Sequence, residues 1–201
     1  MSLFLAAVVA GLLIGWLRGG SLASLGSARV RALWLVLPAF AVEFYLALGL
    51  GRDVPWWVLP LHVGANALLL GVALLNRRVP GMAVLALGLA LNLAVIASNG
   101  GLMPVSPELW AARHAAERVA IGQHPPQTKD VVLPHDQARL WFLGDVLALP
   151  AGAPVPLIAS AGDLVIAVGL VIALQGLMQA GRPVPRRRRR GGRVWQVSGL
   201  I

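Results

Sequence analysis

Residues 54–98 read VPWWVLPLHVGANALLLGVALLNRRVPGMAVLALGLALNLAVIAS. Two runs free of Asp, Glu, Lys and Arg, 54–76 and 79–98, are parted only by Arg77-Arg78. A helix crossing a hydrocarbon core of about 30 Å needs roughly 17–25 predominantly apolar residues, and each run supplies that length. This pair predicts two antiparallel membrane helices with a two-arginine turn between them. Working outward, residues 32–51 and 155–179 have the same character, with one carboxylate each, Glu43 and Asp163. Residues 2–17 form a fifth, shorter apolar run; no basic residue precedes it, as a cleaved signal peptide would require.

Composition agrees. Of 201 residues 58% are hydrophobic and 12% charged, against about 25% charged in soluble domains. The net charge of +9 belongs to the end of the chain, where Arg182, Arg186 to Arg190 and Arg193 supply seven of the 17 basic residues. A basic tail beside an apolar body argues against a nucleic-acid-binding domain, so no nucleic-acid partner is expected. The chain has no Cys, which excludes disulfides, thiolate metal sites and a Cys nucleophile.

The expected fold class is all-α: an integral membrane bundle (residues 1–180) of five spans, 2–17, 32–51, 54–76, 79–98 and 155–179. A long outer segment, 99–154, carries a short amphipathic helix, and 181–201 form a basic cytoplasmic tail. Arg18, Arg29 and Arg31 follow the first span, Arg77 and Arg78 the third, and seven arginines the fifth. The positive-inside rule then puts the amino terminus outside and the carboxy terminus in the cytoplasm. In the fifth span Gly162, Gly169 and Gly176 recur every seven residues, a stripe that lets another helix backbone approach.

Within the outer segment, Ser106-Pro107-Glu108 has the features of a helix start: a hydroxyl cap, Pro at the first position and a carboxylate at the positive end of the dipole. An apolar stripe runs from Leu109 to Ala120, with Gly122 as the expected stop. Residues 123–130 read as extended linker, and 131–150, with Trp141 and Phe142, as an interfacial or shallow re-entrant segment.

Placing each polar residue by depth brings the costly groups toward the outer side: Glu43, His62, Asn66, Asn92, Asn99 and Asp163. Ionisable groups in a membrane are expensive and signal a functional site unless they pair. The expected ligand site comprises Glu43, His62, Asn92, Asn99 and Asp163, with Asp136 and Arg139 from the outer segment. The competing reading is that Glu43 and His62 pair as helix glue and that Ser160 solvates Asp163.

Three further stretches carry a resemblance: Asn99-Gly100-Gly101-Leu102-Met103-Pro104-Val105-Ser106, residues 136–145 (DQARLWFLGD), and Ser160-Ala161-Gly162-Asp163-Leu164. With Gly15-Trp16-Leu17-Arg18-Gly19-Gly20 they resemble an uncharacterised bacterial multi-pass membrane family, domain of unknown function 5317, over about residues 1–178. The resemblance implies an inner-membrane protein without an assigned activity. At the last span, Asp163 with the apolar run to Gly169 is similar to the final aspartate motif of lipoprotein signal peptidases, in which two aspartates activate a water. Asp145 would be the second carboxylate here, although that family's Asn-x-x-Asp-Arg stretch has no counterpart in this chain.

No metal or cofactor is expected: the four His residues lack ligand spacing, and no phosphate-binding glycine loop is present. The partners to expect are the lipid bilayer, a lipid or small-molecule ligand, and a membrane protein. The sequence thus points to a binding or accessory membrane component, with a membrane-embedded aspartyl-type hydrolase using Asp145 and Asp163 as the alternative. A secondary transporter is disfavoured by the lack of an inverted repeat.

Overall fold

The computed structural model describes residues 2–49, 54–114, 119–149 and 158–179. The basic tail, the Arg52-Asp53 turn and residues 150–157 lie outside them. Five apolar helices fall within the expected segments: α1 (Ser2–Leu17), α3 (Val36–Gly49, after a 3-10 turn at Leu33–Leu35), α4 (Val58–Leu75), α5 (Met82–Ser98) and α7 (Ala161–Gln179). A short helix, α2 (Leu22–Ser27), follows α1 and is capped by the Ser21 hydroxyl. Two helices, α4 and α7, are long and apolar enough to cross a membrane. At 16, 14 and 17 residues, α1, α3 and α5 are shorter, so helix length supports two of the five expected crossings.

The expectation of an all-α chain is corrected by a mixed sheet of four short strands, β1 (Met103–Val105), β2 (Asp130–Val132), β3 (Asp145–Ala148) and β4 (Ile158–Ser160), in the order β2-β1-β3-β4. β1 pairs in parallel with β2 and β3, and β3 pairs antiparallel with β4. The segment expected to lie extended or re-enter the membrane thus satisfies its backbone groups by pairing with itself. Because β4 takes residues 158–160, the last helix begins at Ala161 rather than at 155. Helix α6 (Pro107–Arg113) starts as expected, the Ser106 hydroxyl accepting from the Leu109 N–H at 3.1 Å. It stops well before Gly122, which has φ +80° and donates its N–H to Val132 O at 2.8 Å, tying the returning chain to β2.

α7 is the central helix, packed on α1 and α5. Its glycine stripe faces α5, as the close-approach argument requires: Gly162 lies against Asn92 and Gly88, Gly169 against Leu85, and Gly176 against Pro80. A methyl group added to Gly88 would sit 2.7 Å from the Ile166 backbone nitrogen. α1 meets the other side of α7 through Gly11 and Gly15. α3 is peripheral and leaves Leu37, Phe40, Phe44 and Leu48 exposed along one stripe.

The bundle has two unlike ends. At one, α5 leads into β1, β4 leads into α7, and Gly101 lies against Leu59 at the start of α4, so the sheet roofs this end. At the other, the Arg18 guanidinium donates to Gln175 at 2.6 Å and Ser21 N–H to Met178 O at 3.0 Å. The Asn76 amide there clasps the backbone of Arg31, accepting its N–H at 2.7 Å and donating to its carbonyl at 2.8 Å. Arg18, Arg31, Arg77 and Arg78 therefore share the end opposite the sheet.

Candidate functional site

The polar residues of the helices meet the roof in two networks and one clasp rather than in a single cluster. The first network centres on Glu43 of α3, which is 12% exposed. Asn66 of α4 donates to its Oε1 at 2.7 Å, His62 Nε2 lies 3.5 Å from Oε2, and the Lys129 ammonium closes onto the same oxygen. His62 is held from its other side: Nδ1 lies 2.7 Å from the Gly101 carbonyl. A carbonyl only accepts, so Nδ1 carries a proton and Nε2 is the nitrogen turned to the carboxylate. Glu43 and His62 do pair, but a third partner from outside the spans completes the group.

The second network is built at the start of α7. Ser160 and Asp163 form a capping box, Asp163 N–H donating to Ser160 Oγ at 3.0 Å and Ser160 N–H to Asp163 Oδ2 at 3.2 Å. Asn92 of α5 closes a ring over them: it donates to Asp163 Oδ1 at 2.7 Å and accepts from the Ser160 hydroxyl at 3.0 Å. Both oxygens of Asp163 are thereby occupied by N–H donors.

Asn99 belongs to neither network. As the C-cap of α5 it accepts the Arg139 N–H at 2.9 Å and donates to the Arg139 carbonyl at 2.8 Å, the same clasp that Asn76 makes at the other end. It fastens the roof to the bundle through Arg139's backbone, while the Arg139 side chain and Asp136 are exposed.

Sequence reasoning missed Lys129 and Asp130. Depth along the spans was its signal, and both residues sit in a stretch that reads as polar linker. Residues opposite each other on a ladder project from one face. Met103 pairs with Asp130, Val105 with Asp145, and Asp145 with Ser160, so all three polar side chains share the face of Met103. That face is the one turned to the bundle, since Met103 packs on Val95 and Ile96 of α5.

The carboxyls on this face feel one another. Burial pushes Asp130 up to about 6, with Lys129 opposing and Asp163 reinforcing the rise. Burial drives Asp145 well above the usual carboxylate range, and the negative charges of Asp130 and Asp163 add to the effect, while Lys129 and the amino terminus pull the other way. Its Oδ1 is sealed from solvent without a hydrogen-bond partner among the described residues. The result is a polar layer between sheet and bundle, edged by Glu43, His62 and Lys129 on one side and by Asn92, Ser160 and Asp163 on the other.

The model of a family described as "Family of unknown function (DUF5317)" matches residues 27–175. The chain belongs to this family. The match takes in α3 to α5, the whole roof and most of α7, so every residue of the polar layer lies inside it. No curated protein and no solved structure matches the chain.

Proposed function

We propose that this chain is a five-span protein of the bacterial inner membrane, amino terminus outside and carboxy terminus cytoplasmic, that works as a binding or accessory component. The polar layer under the sheet is its outward-facing site, for a lipid, a small polar solute or a segment of a membrane partner. Support for the spans comes from the two ends of the bundle, one carrying the sheet and the acidic groups, the other carrying arginines. Large exposed apolar residues on α1, α3 and α7, such as Leu13, Phe44 and Val168, suit a lipid surround.

The observation that carries the binding reading is Glu43. A carboxylate in an apolar helix is costly, and this one is met by groups from α4 and from the loop before β2. Residues drawn from three separate elements converge on one charge, an arrangement that goes beyond fastening one helix to the next. Native mass spectrometry of the full chain released from its own membranes tests it. A retained lipid or solute mass that is lost in Glu43→Gln supports the reading, and a parent protein that carries no added mass contradicts it. Because the chain has no Cys, an impermeant thiol reagent tests the topology: Gln137→Cys should react from outside and Arg78→Cys only after lysis.

A second reading, the aspartyl-type hydrolase, draws support from Asp145, whose raised carboxyl lies across the β3–β4 ladder from the residue that Asp163 caps. Against it stands the capping box, which already employs both oxygens of Asp163.

A further inference from the structure

Asp145 is the one carboxyl of the polar layer whose surroundings supply no donor. Asp163 accepts from Asn92 and from the Ser160 N–H, and Glu43 accepts from Asn66 and Lys129. Asp145 Oδ1 is buried with no partner among the described residues. Its charged neighbours on the packed elements are Asp130 of β2, Asp163 of α7 and Lys129 before β2. Lys129 is itself committed to Glu43 of α3 beside His62 of α4, and α5 contributes only the neutral Asn92. Two carboxylates thus flank a third carboxyl while the nearest side-chain cation is engaged elsewhere.

The strand that bears Asp145 is also weakly held. β3 joins β1 through the single pair Val105 and Asp145, and its ladder with β4 slips between Asp145 and Leu147. A charge appearing at residue 145 would act where the sheet has least to resist it.

We infer that Asp145 is a proton-binding site that controls closure of the roof: with the proton on, the β3–β4 hairpin seats on the bundle, and with it off, the hairpin loosens. On ionisation the O–H bond of Asp145 breaks, the proton passes to water, and the electron pair stays on the carboxyl oxygen. A third negative charge then stands beside Asp130 and Asp163, and it needs water that only an opened hairpin admits. The inference goes beyond the binding reading, and its test needs no ligand.

Infrared difference spectroscopy of the full chain in lipid vesicles, stepped from about pH 5 to about pH 9, reads the carbonyl stretch of protonated carboxyl groups. Two components should titrate away: a lower one from Asp130 and a higher one from Asp145. Asp145→Asn should remove the higher component alone. Asp130→Asn should remove the lower one and move the higher one to lower pH, because a repelling charge has gone. Persistence of the higher component in Asp145→Asn overturns the assignment. If that variant does not fold, an unmoved higher component in Asp130→Asn overturns it instead. Closure is read from thiol labelling of Ala159→Cys, a buried position on β4, relative to the exposed Gln137→Cys. The ratio should rise with pH across the higher component and lose that dependence in Asp145→Asn; a flat ratio in the parent background refutes the closing role.

Discussion

The Glu43–Lys129 pair predicts an asymmetry that a simple count of contacts does not. Lys129 is 31% exposed and Glu43 only 12%, so the two partners lose different things when the pair is cut. Lys129→Met strands a carboxylate inside the bundle with Asn66 and His62 as its remaining contacts. Cutting a fully buried pair costs about 3–5 kcal/mol, whereas exposed pairs are worth about 0–1 kcal/mol. With one partner part-exposed, the expected loss is about 2 kcal/mol. Glu43→Gln removes the charge, keeps an oxygen for Asn66 and offers His62 an amide N–H, while Lys129 turns to water. Its cost should be about 1 kcal/mol. In the double variant no charge is stranded, so its loss should be no greater than that of Glu43→Gln alone, and the coupling is about 2 kcal/mol. Unfolding in mixed micelles of rising SDS fraction, followed by fluorescence of the seven Trp residues, measures all four corners of the cycle. If Glu43→Gln is the more damaging single change, or if the two losses add, the stranded-charge reasoning is wrong.

Three other outcomes are expected. Ser160→Ala removes the hydroxyl that caps α7 and donates to Asn92, and should cost about 1–2 kcal/mol in the same unfolding assay, whereas Ser24→Ala on exposed α2 should change little. Because the Asp130 carboxyl is raised from 3.8 to about 6 in the fold, the folded roof holds that proton more tightly than the unfolded chain. Its contribution is present below about pH 4 and lost as pH rises through about 6; hydrogen exchange of the β2 amides should show protection falling over that window in the parent and not in Asp130→Asn. Gly88→Val should push α5 from α7, since even a methyl group there would lie 2.7 Å from the Ile166 nitrogen; a loss of about 1–3 kcal/mol is expected, and unchanged stability would refute the glycine-seam packing.

The helices were legible because apolar length is a loud signal, and α1 occupies the stretch read for it, residues 2–17. The sheet was not, for a physical reason. Its strands hold three or four residues, too few for a period of two to show, and β1 pairs with partners more than twenty positions away in sequence. Depth reasoning found Glu43, His62, Asn92 and Asp163, yet it gathered Asn99 into the same pocket. Asn99 stands at the end of α5, where a side chain satisfies backbone groups more readily than it binds a ligand. Ser160-x-x-Asp163 has the capping-box pattern, so the structural work of Asp163 was readable before any fold. Lys129 was unreadable in principle, because its role exists only once β2 pairs with β1 and carries the loop back over the bundle.

That pairing explains why the site straddles the sheet and the helices. β4 ends at Ser160 and α7 begins at Ala161, with no linker between them. Ser160 is fully buried, and four jobs meet in it: last residue of the strand, cap of the central helix, donor to α5, and ladder partner of Asp145. A shift of the β3–β4 hairpin therefore reaches the first turn of α7 through one covalent step and two hydrogen bonds. α7 has little freedom to absorb it, since its glycines lie against α5 along most of its length. What happens to the Asp145 carboxyl in the roof is in this way felt by the helix on which the bundle is centred, and the polar layer is the joint where an event outside the membrane enters it.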